Sequence, residues 1–279
     1  MFEPSNNAPY DLQHNPQPNP YRRLFFLPVV FIALNVAVWF WSVSKGVSVS
    51  APHPAQLQQL GGNIALLTFT GEPWRLFTSM FLHAGLMHLA FNMFFLYQIG
   101  PLLVRREGNG GFALVYLAGG LVASIASAWW QARGLVDTDT RRLIVSVGAS
   151  GAIMAVAGAL AWGLVATNYL RDNSPPDPMA NKQLTNALLR TIGFNVAFGF
   201  LIPGLDQSAH IGGLVAGALI GAVWPPPDAA YVQAGMQPPS HTARRLLALV
   251  VAVVLVMGFY ALVLALYRNP LQILRPQLQ

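Results

Sequence analysis

Residues 24–43 read LFFLPVVFIALNVAVWFWSV, a block with no charged side chain, directly after Arg22 and Arg23. As a helix rising about 1.5 Å per residue it spans roughly 30 Å, the thickness of a bilayer's hydrocarbon core. Six further apolar blocks follow, near 80–104, 111–130, 150–170, 184–203, 208–224 and 246–267. Pro28, Gly193 and Gly258 lie inside such blocks, where lipid tolerates them better than water does. No block alternates apolar and polar residues as a membrane barrel strand must. The expectation is an all-α polytopic membrane protein with seven spans.

Composition agrees. Of 279 residues, 54% are hydrophobic and 9% charged, against roughly 25% charged in an average soluble domain. The net charge of +6 comes from 16 basic and 10 acidic residues, with no basic run to follow a phosphate backbone, so no nucleic-acid partner is expected. With no Cys, disulfides, thiolate metal ligands and a cysteine nucleophile are excluded. Residues 1–23, rich in Asn, Pro and Gln, are expected to be a disordered tail rather than a signal peptide. The core runs over 24–224, a Pro-rich linker over 225–243, a seventh transmembrane helix over 244–267, and a C-terminal tail over 268–279. Placing Arg22 and Arg23 inside puts nine basic residues on the cytoplasmic side and seven outside, which orients the N-terminus toward the cytoplasm. The loop over 44–79 is expected to be an ordered structure lying on the bilayer surface.

Polar groups inside spans are costly and by default functional. His83, His88 and Asn92 interrupt the second block, and His88 and Asn92, four apart, share a helix face. Alone, such a pair serves equally well as interhelical glue. The fourth block opens with Gly148-Ala149-Ser150-Gly151. A serine there can be a simple N-cap, or a hydroxyl beside unpaired N–H groups at the positive end of a helix, with small neighbours that admit a substrate. It is not the soluble hydrolase elbow, since Ala152 stands where a second Gly is required. The sixth block starts Ser208-Ala209-His210, and Gly213, Gly217 and Gly221 form a small-residue ridge that lets another helix approach to backbone contact. Asp206, four residues before His210, is read as an N-cap rather than the carboxylate of a triad.

Spans two, four and six run in one direction. Counted from their inner ends, Asn92, Ser150 and His210 lie roughly 18, 27 and 21 Å above the inner boundary, all in the outer half of a core about 30 Å thick. One composite site follows: Ser150 as nucleophile, His210 as its general base, and His88, Asn92 and the Ser150 N–H as oxyanion donors. With no carboxylate near His210 apart from Asp206, the economical arrangement is a dyad.

This constellation resembles the rhomboid family of intramembrane serine proteases. The matching pieces are Trp74-Arg75, His83-x4-His88-x3-Asn92, Gly148-Ala149-Ser150-Gly151 and Ala209-His210-x2-Gly213-x3-Gly217, in order over most of residues 72–221. The resemblance implies a six-helix core plus one extra C-terminal helix. It also implies a catalytic Ser150–His210 pair, an oxyanion hole of His88, Asn92 and Ser150, a supporting His83, and Trp74 and Arg75 anchoring the first loop at the lipid interface. Neither cofactor nor metal is implied, and the partners would be single-span membrane protein substrates within the lipid bilayer. The enzyme would sit in the cell membrane with its site opening outward. Two positions depart from the family's pattern: Met154 replaces a frequent Tyr four residues after the serine, and Val104 replaces a frequent Glu, with Glu107 three residues later. The competing readings are a catalytically silent rhomboid-like binder and a transporter lined by His83, His88 and His210.

Overall fold

The computed structural model describes residues 26–137, 144–170, 178–201, 206–223 and 241–278. The expected tail over 1–23 and residues 225–240 of the linker expected over 225–243 lie outside the described residues, and 241–243 belong to the last helix. Those described form nine helices and no named strand: α1 (Phe26–Ser44), α2 (Pro54–Gln59), α3 (Ala65–Thr70), α4 (Arg75–Thr78), α5 (Leu86–Asp137), α6 (Ser150–Leu170), α7 (Pro178–Leu201), α8 (Gln207–Ala222) and α9 (His241–Leu278). Phe26–Ser44, Leu86–Val136 and Thr242–Pro276 are long and apolar enough to cross a membrane, and Ser150–Val165 is a shorter apolar helix.

α5 carries the second and third expected spans. It breaks at Gly108, whose φ of 74° and ψ of 175° no helix accommodates, and so divides into two limbs. α6 is the centre. Its side chains from Ser150 to Leu160 are buried all round, which a wholly apolar helix requires, and α5, α7 and α8 pack against it. α1 buries one stripe, Pro28, Phe31, Asn35, Trp39 and Ser42, whose spacing of three and four residues is a single helix face. The opposite face presents Phe26, Val29, Leu34, Phe40 and Trp41 outward.

The loop over 44–79 is ordered, as expected, and many of its apolar residues turn inward. Ile64, Leu66, Phe69 and Leu76 join Ile125, Ala128 and Ala132 of α5 and Val263 and Leu271 of α9 in a second core. Arg75 is likewise buried. Its guanidinium donates to the carbonyls of Gln58 at 2.6 Å and Gly62 at 2.9 Å and pairs with Glu72 at 2.7 Å, tying α2, α4 and the approach to α3 together. Three acceptors satisfy the charge that burial takes out of water. Trp74 is the exposed member of the pair, 49% accessible.

Two boundaries differ from the sequence reading. His83 precedes α5 instead of lying on the second helix, which starts at Leu86. The helix expected to end at 267 continues to Leu278 through Pro270, because Leu271 finds cover in the second core. α9 is also not held apart from the rest: Ala248 and Ala252, four apart, are buried in the main core, while Leu246, Val250, Val253 and Met257 face outward.

Candidate active site

The close approach of α6 and α8 builds the site. A Cβ on Gly213 would stand 2.1 Å from the Gly151 carbonyl oxygen, one on Gly217 would stand 1.8 Å from that of Ala155, and one on Gly158 would stand 2.1 Å from that of Leu214. The two backbones therefore touch through small residues on both helices, which no larger side chain permits. At the N-terminal end of this seam Ser150, the first residue of α6, and His210, in the first turn of α8, are both buried and lie 2.8 Å apart from Oγ to Nε2. The ridge on α8 was legible in the sequence. Its counterpart on α6, Gly151, Ala155 and Gly158, was missed, although the same spacing of three and four residues marks it.

Asp206 caps α8, its carboxylate accepting from the amides of Ser208 at 3.0 Å and Ala209 at 3.4 Å. It also accepts from the hydroxyls of Ser127 and Ser208. Both of its oxygens are thus engaged away from the imidazole, and the buried His210 Nδ1 has no hydrogen-bond partner among the described residues. Among the described residues, then, no third side chain bonds to the imidazole that meets Ser150.

His88 and Asn92 lie one turn apart on the first limb of α5 and face the segment leading into α6. The Ala84 amide donates to His88 Nδ1 at 3.3 Å. In the neutral ring this acceptor role places the proton on Nε2, which becomes a donor. That nitrogen lies against Gly148: a Cβ there would stand 2.9 Å from His88 Nε2 and 3.7 Å from Asn92 Nδ2. Gly148 also has a φ of 126°, a region that L side chains rarely enter. Asn92 Nδ2 is buried with no partner among the described residues. Two N–H donors therefore meet the chain where it turns into Ser150, and a developing negative charge beside that serine would find them already oriented.

His83 stacks edge-on against His88 with ring centroids 5.3 Å apart, and its Nδ1 donates to the Phe81 carbonyl at 3.2 Å. A cleft of about 60 Å³ opens above the pair, lined by Ser79, Ala84, His88, Ser146, Gly148, Ser150 and His210 among others. A smaller cavity of about 30 Å³ on the other side joins His88, Asn92, Ser150 and His210 to Phe91, Phe194 and Asn195. Asn195 was not foreseen, although an amide inside an apolar block was the available signal. Met154, in place of the aromatic ring, is buried in α6. Among the described residues no group of three His, Cys, Asp or Glu side chains is placed to hold a metal ion.

Apolar helices enclosing this convergence of polar side chains define an integral membrane protein with a serine–histidine centre beneath one face. A family model described as "Rhomboid domain" matches residues 70–226, more than half of the chain. Among curated proteins, the rhomboid protease AarA of Providencia stuartii is 34% identical over 203 residues, covering 70% of each chain. The rhomboid protease GluP of Bacillus subtilis (strain 168) is 33% identical over 238 residues, which is 82% of this chain and 39% of that protein. RHOMBOID-like protein 5 of Arabidopsis thaliana is 34% identical over 69% of this chain and 58% of its own length. The chain belongs to the rhomboid family.

Proposed function

We propose that this protein is an intramembrane serine endopeptidase that cleaves single-span membrane proteins in or near their transmembrane segments, using Ser150 and His210 as a dyad. The observation that carries the reading is the 2.8 Å contact between Ser150 Oγ and His210 Nε2, buried at the N-terminal end of the α6–α8 seam and flanked by donors. His210 Nε2 takes the hydroxyl proton as Oγ attacks the scissile carbonyl, then passes it to the leaving amine as the peptide bond breaks. A water molecule, deprotonated by the same imidazole, attacks the resulting ester and releases the acid and free Ser150. His88 Nε2–H, Asn92 Nδ2–H and the Ser150 amide stabilise the oxyanion at each stage. Seven spans, six in the core plus α9, complete the reading. The N-terminus is cytoplasmic, the cleft faces outward, and the cell membrane is the location.

The test is cleavage by the detergent-purified full chain of reporter proteins whose single span contains small and helix-breaking residues. Product ends mapping in or near the span are expected. Intact reporters across the set, under conditions where the enzyme stays folded, would overturn the proposal.

Two variants probe the donors. Asn92→Ala is expected to lower kcat by about 10²- to 10³-fold with little change in KM, since an oxyanion donor acts on the transition state alone. Gly148→Ala places a methyl 2.7 Å from His88 Cε1 on a backbone that disfavours it. Its expected cost in kcat is about tenfold or more, measured beside Asn92→Ala in the same assay.

A further inference from the structure

Helix α9 is far longer than a span requires: its 38 residues reach about 57 Å against a hydrocarbon core of about 30 Å. The excess is not idle. Arg275, near its end, donates to the Thr70 hydroxyl at 3.3 Å and the Thr70 carbonyl at 3.5 Å. That carbonyl is one of the unpaired acceptors at the C-terminal end of α3, where a cation is favoured. Val263 and Leu271 are buried against Leu66 and Phe69 of the same short helix, and Tyr260 stacks on Phe69 with centroids 5.9 Å apart.

The opposite end of α3 reaches the catalytic pair by two routes. Asn63 pairs with Ser146 through both backbone hydrogen bonds at 2.9 Å, four residues before Ser150. The Asn63 side chain is itself fixed, accepting from Thr68 Oγ1 of α3 and donating to the Ser124 carbonyl, each at 2.8 Å. On the second route the Ala65 amide donates to Gln131 Oε1 and Gln131 Nε2 donates to Ser127 Oγ, each at 3.1 Å. Ser127 donates in turn to Asp206, the cap of the helix that carries His210. A six-residue helix has little stability of its own, so what seats α3 also sets how firmly both routes are held.

We propose that the outer end of α9 is a positioning element for the catalytic centre, with Arg275 and Leu271 as positioning residues that seat α3. Through Asn63–Ser146 and through Gln131–Ser127–Asp206, α3 then holds Ser150 and His210 in register. The proposal rests on the protease reading for its kinetic effect but not for its structural one.

The test uses the full chain carrying Arg275→Gln and Arg275→Lys. For Arg275→Gln, kcat and the rate at which a fluorophosphonate labels Ser150 are expected to fall about threefold to tenfold with KM unchanged, the effect of losing one charge-assisted hydrogen bond. Arg275→Lys, which keeps a charged donor, is expected to recover most of the rate. Amide hydrogen exchange, independent of any activity, is expected to quicken at residues 63–70 and 144–148 in Arg275→Gln while the centre of α6 stays protected. Unchanged exchange in those segments overturns the proposal, as does a uniform rise over the whole chain or a Lys variant no better than Gln. If the wild-type chain neither cleaves nor labels, the protease reading fails and the exchange pattern alone decides this one.

Discussion

Ser150→Ala and His210→Ala should each lower cleavage of a single-span reporter by on the order of 10⁴- to 10⁶-fold, and the double variant should be no worse than the more damaged single one. Nucleophile and base act as one unit, so removing either removes the activated alkoxide that both produce. Asp206 is committed to capping α8 and to two serine hydroxyls, so among the described residues no carboxylate is hydrogen-bonded to the ring. Thermal unfolding of both variants should match wild type to within a few degrees, since their contact adds about one hydrogen bond to a large fold. Ser150→Ala cleaving at a rate near wild type would remove the catalytic reading altogether.

Gly217→Val is expected to be the most damaging substitution outside the catalytic pair. Even the first carbon of a side chain would stand 1.8 Å from the Ala155 carbonyl oxygen and 2.5 Å from its carbon. Those atoms belong to backbone and cannot turn aside, so α8 must move off α6. Overpacking of this kind costs about 3 kcal/mol or more, or roughly 6–12 °C in Tm for a chain of this size. Activity should fall further than stability, because the displaced helix carries His210 away from Ser150. Gly258→Ala is the control: a Cβ there meets nothing within 4 Å, and Ala is the better helix former. Its Tm should equal or exceed that of wild type. Equal Tm for Gly217→Val and Gly258→Ala would mean that the α6–α8 seam is not the close contact described.

What the sequence made legible was what depends on local pattern. The apolar blocks located the principal helices, and Ser150 stands at the start of α6, where its Gly-Ala-Ser-Gly setting put it. The spacing of Gly213, Gly217 and Gly221 announced a close helix contact, and the shared depth of Asn92, Ser150 and His210 anticipated one site. Each of these follows from helix rise and periodicity alone.

The parts that escaped depend on partners distant in sequence. The burial of Arg75 was not legible because its three acceptors, on Gln58, Gly62 and Glu72, belong to a loop whose path no periodicity reveals. His83 left the helix because Gly85 adopts a φ of 104° and a Cβ there would collide with the Ser50 carbonyl at 2.5 Å. The seventh helix, expected to end at 267, runs on through Pro270, where burial of Leu271 in the second core offsets the hydrogen bond that proline cannot make. Ser127 and Gln131, one helical turn apart in an otherwise apolar stretch, gave the same kind of signal as His88 and Asn92. It was passed over because neither side chain carries obvious chemistry.

The most direct test of a nucleophilic Ser150 activated by His210 is fluorophosphonate labelling of the purified chain followed by peptide mapping. The account predicts a single adduct on Ser150 that disappears in Ser150→Ala and forms far more slowly in His210→Ala. An adduct on another serine, or equal labelling with and without His210, would contradict it.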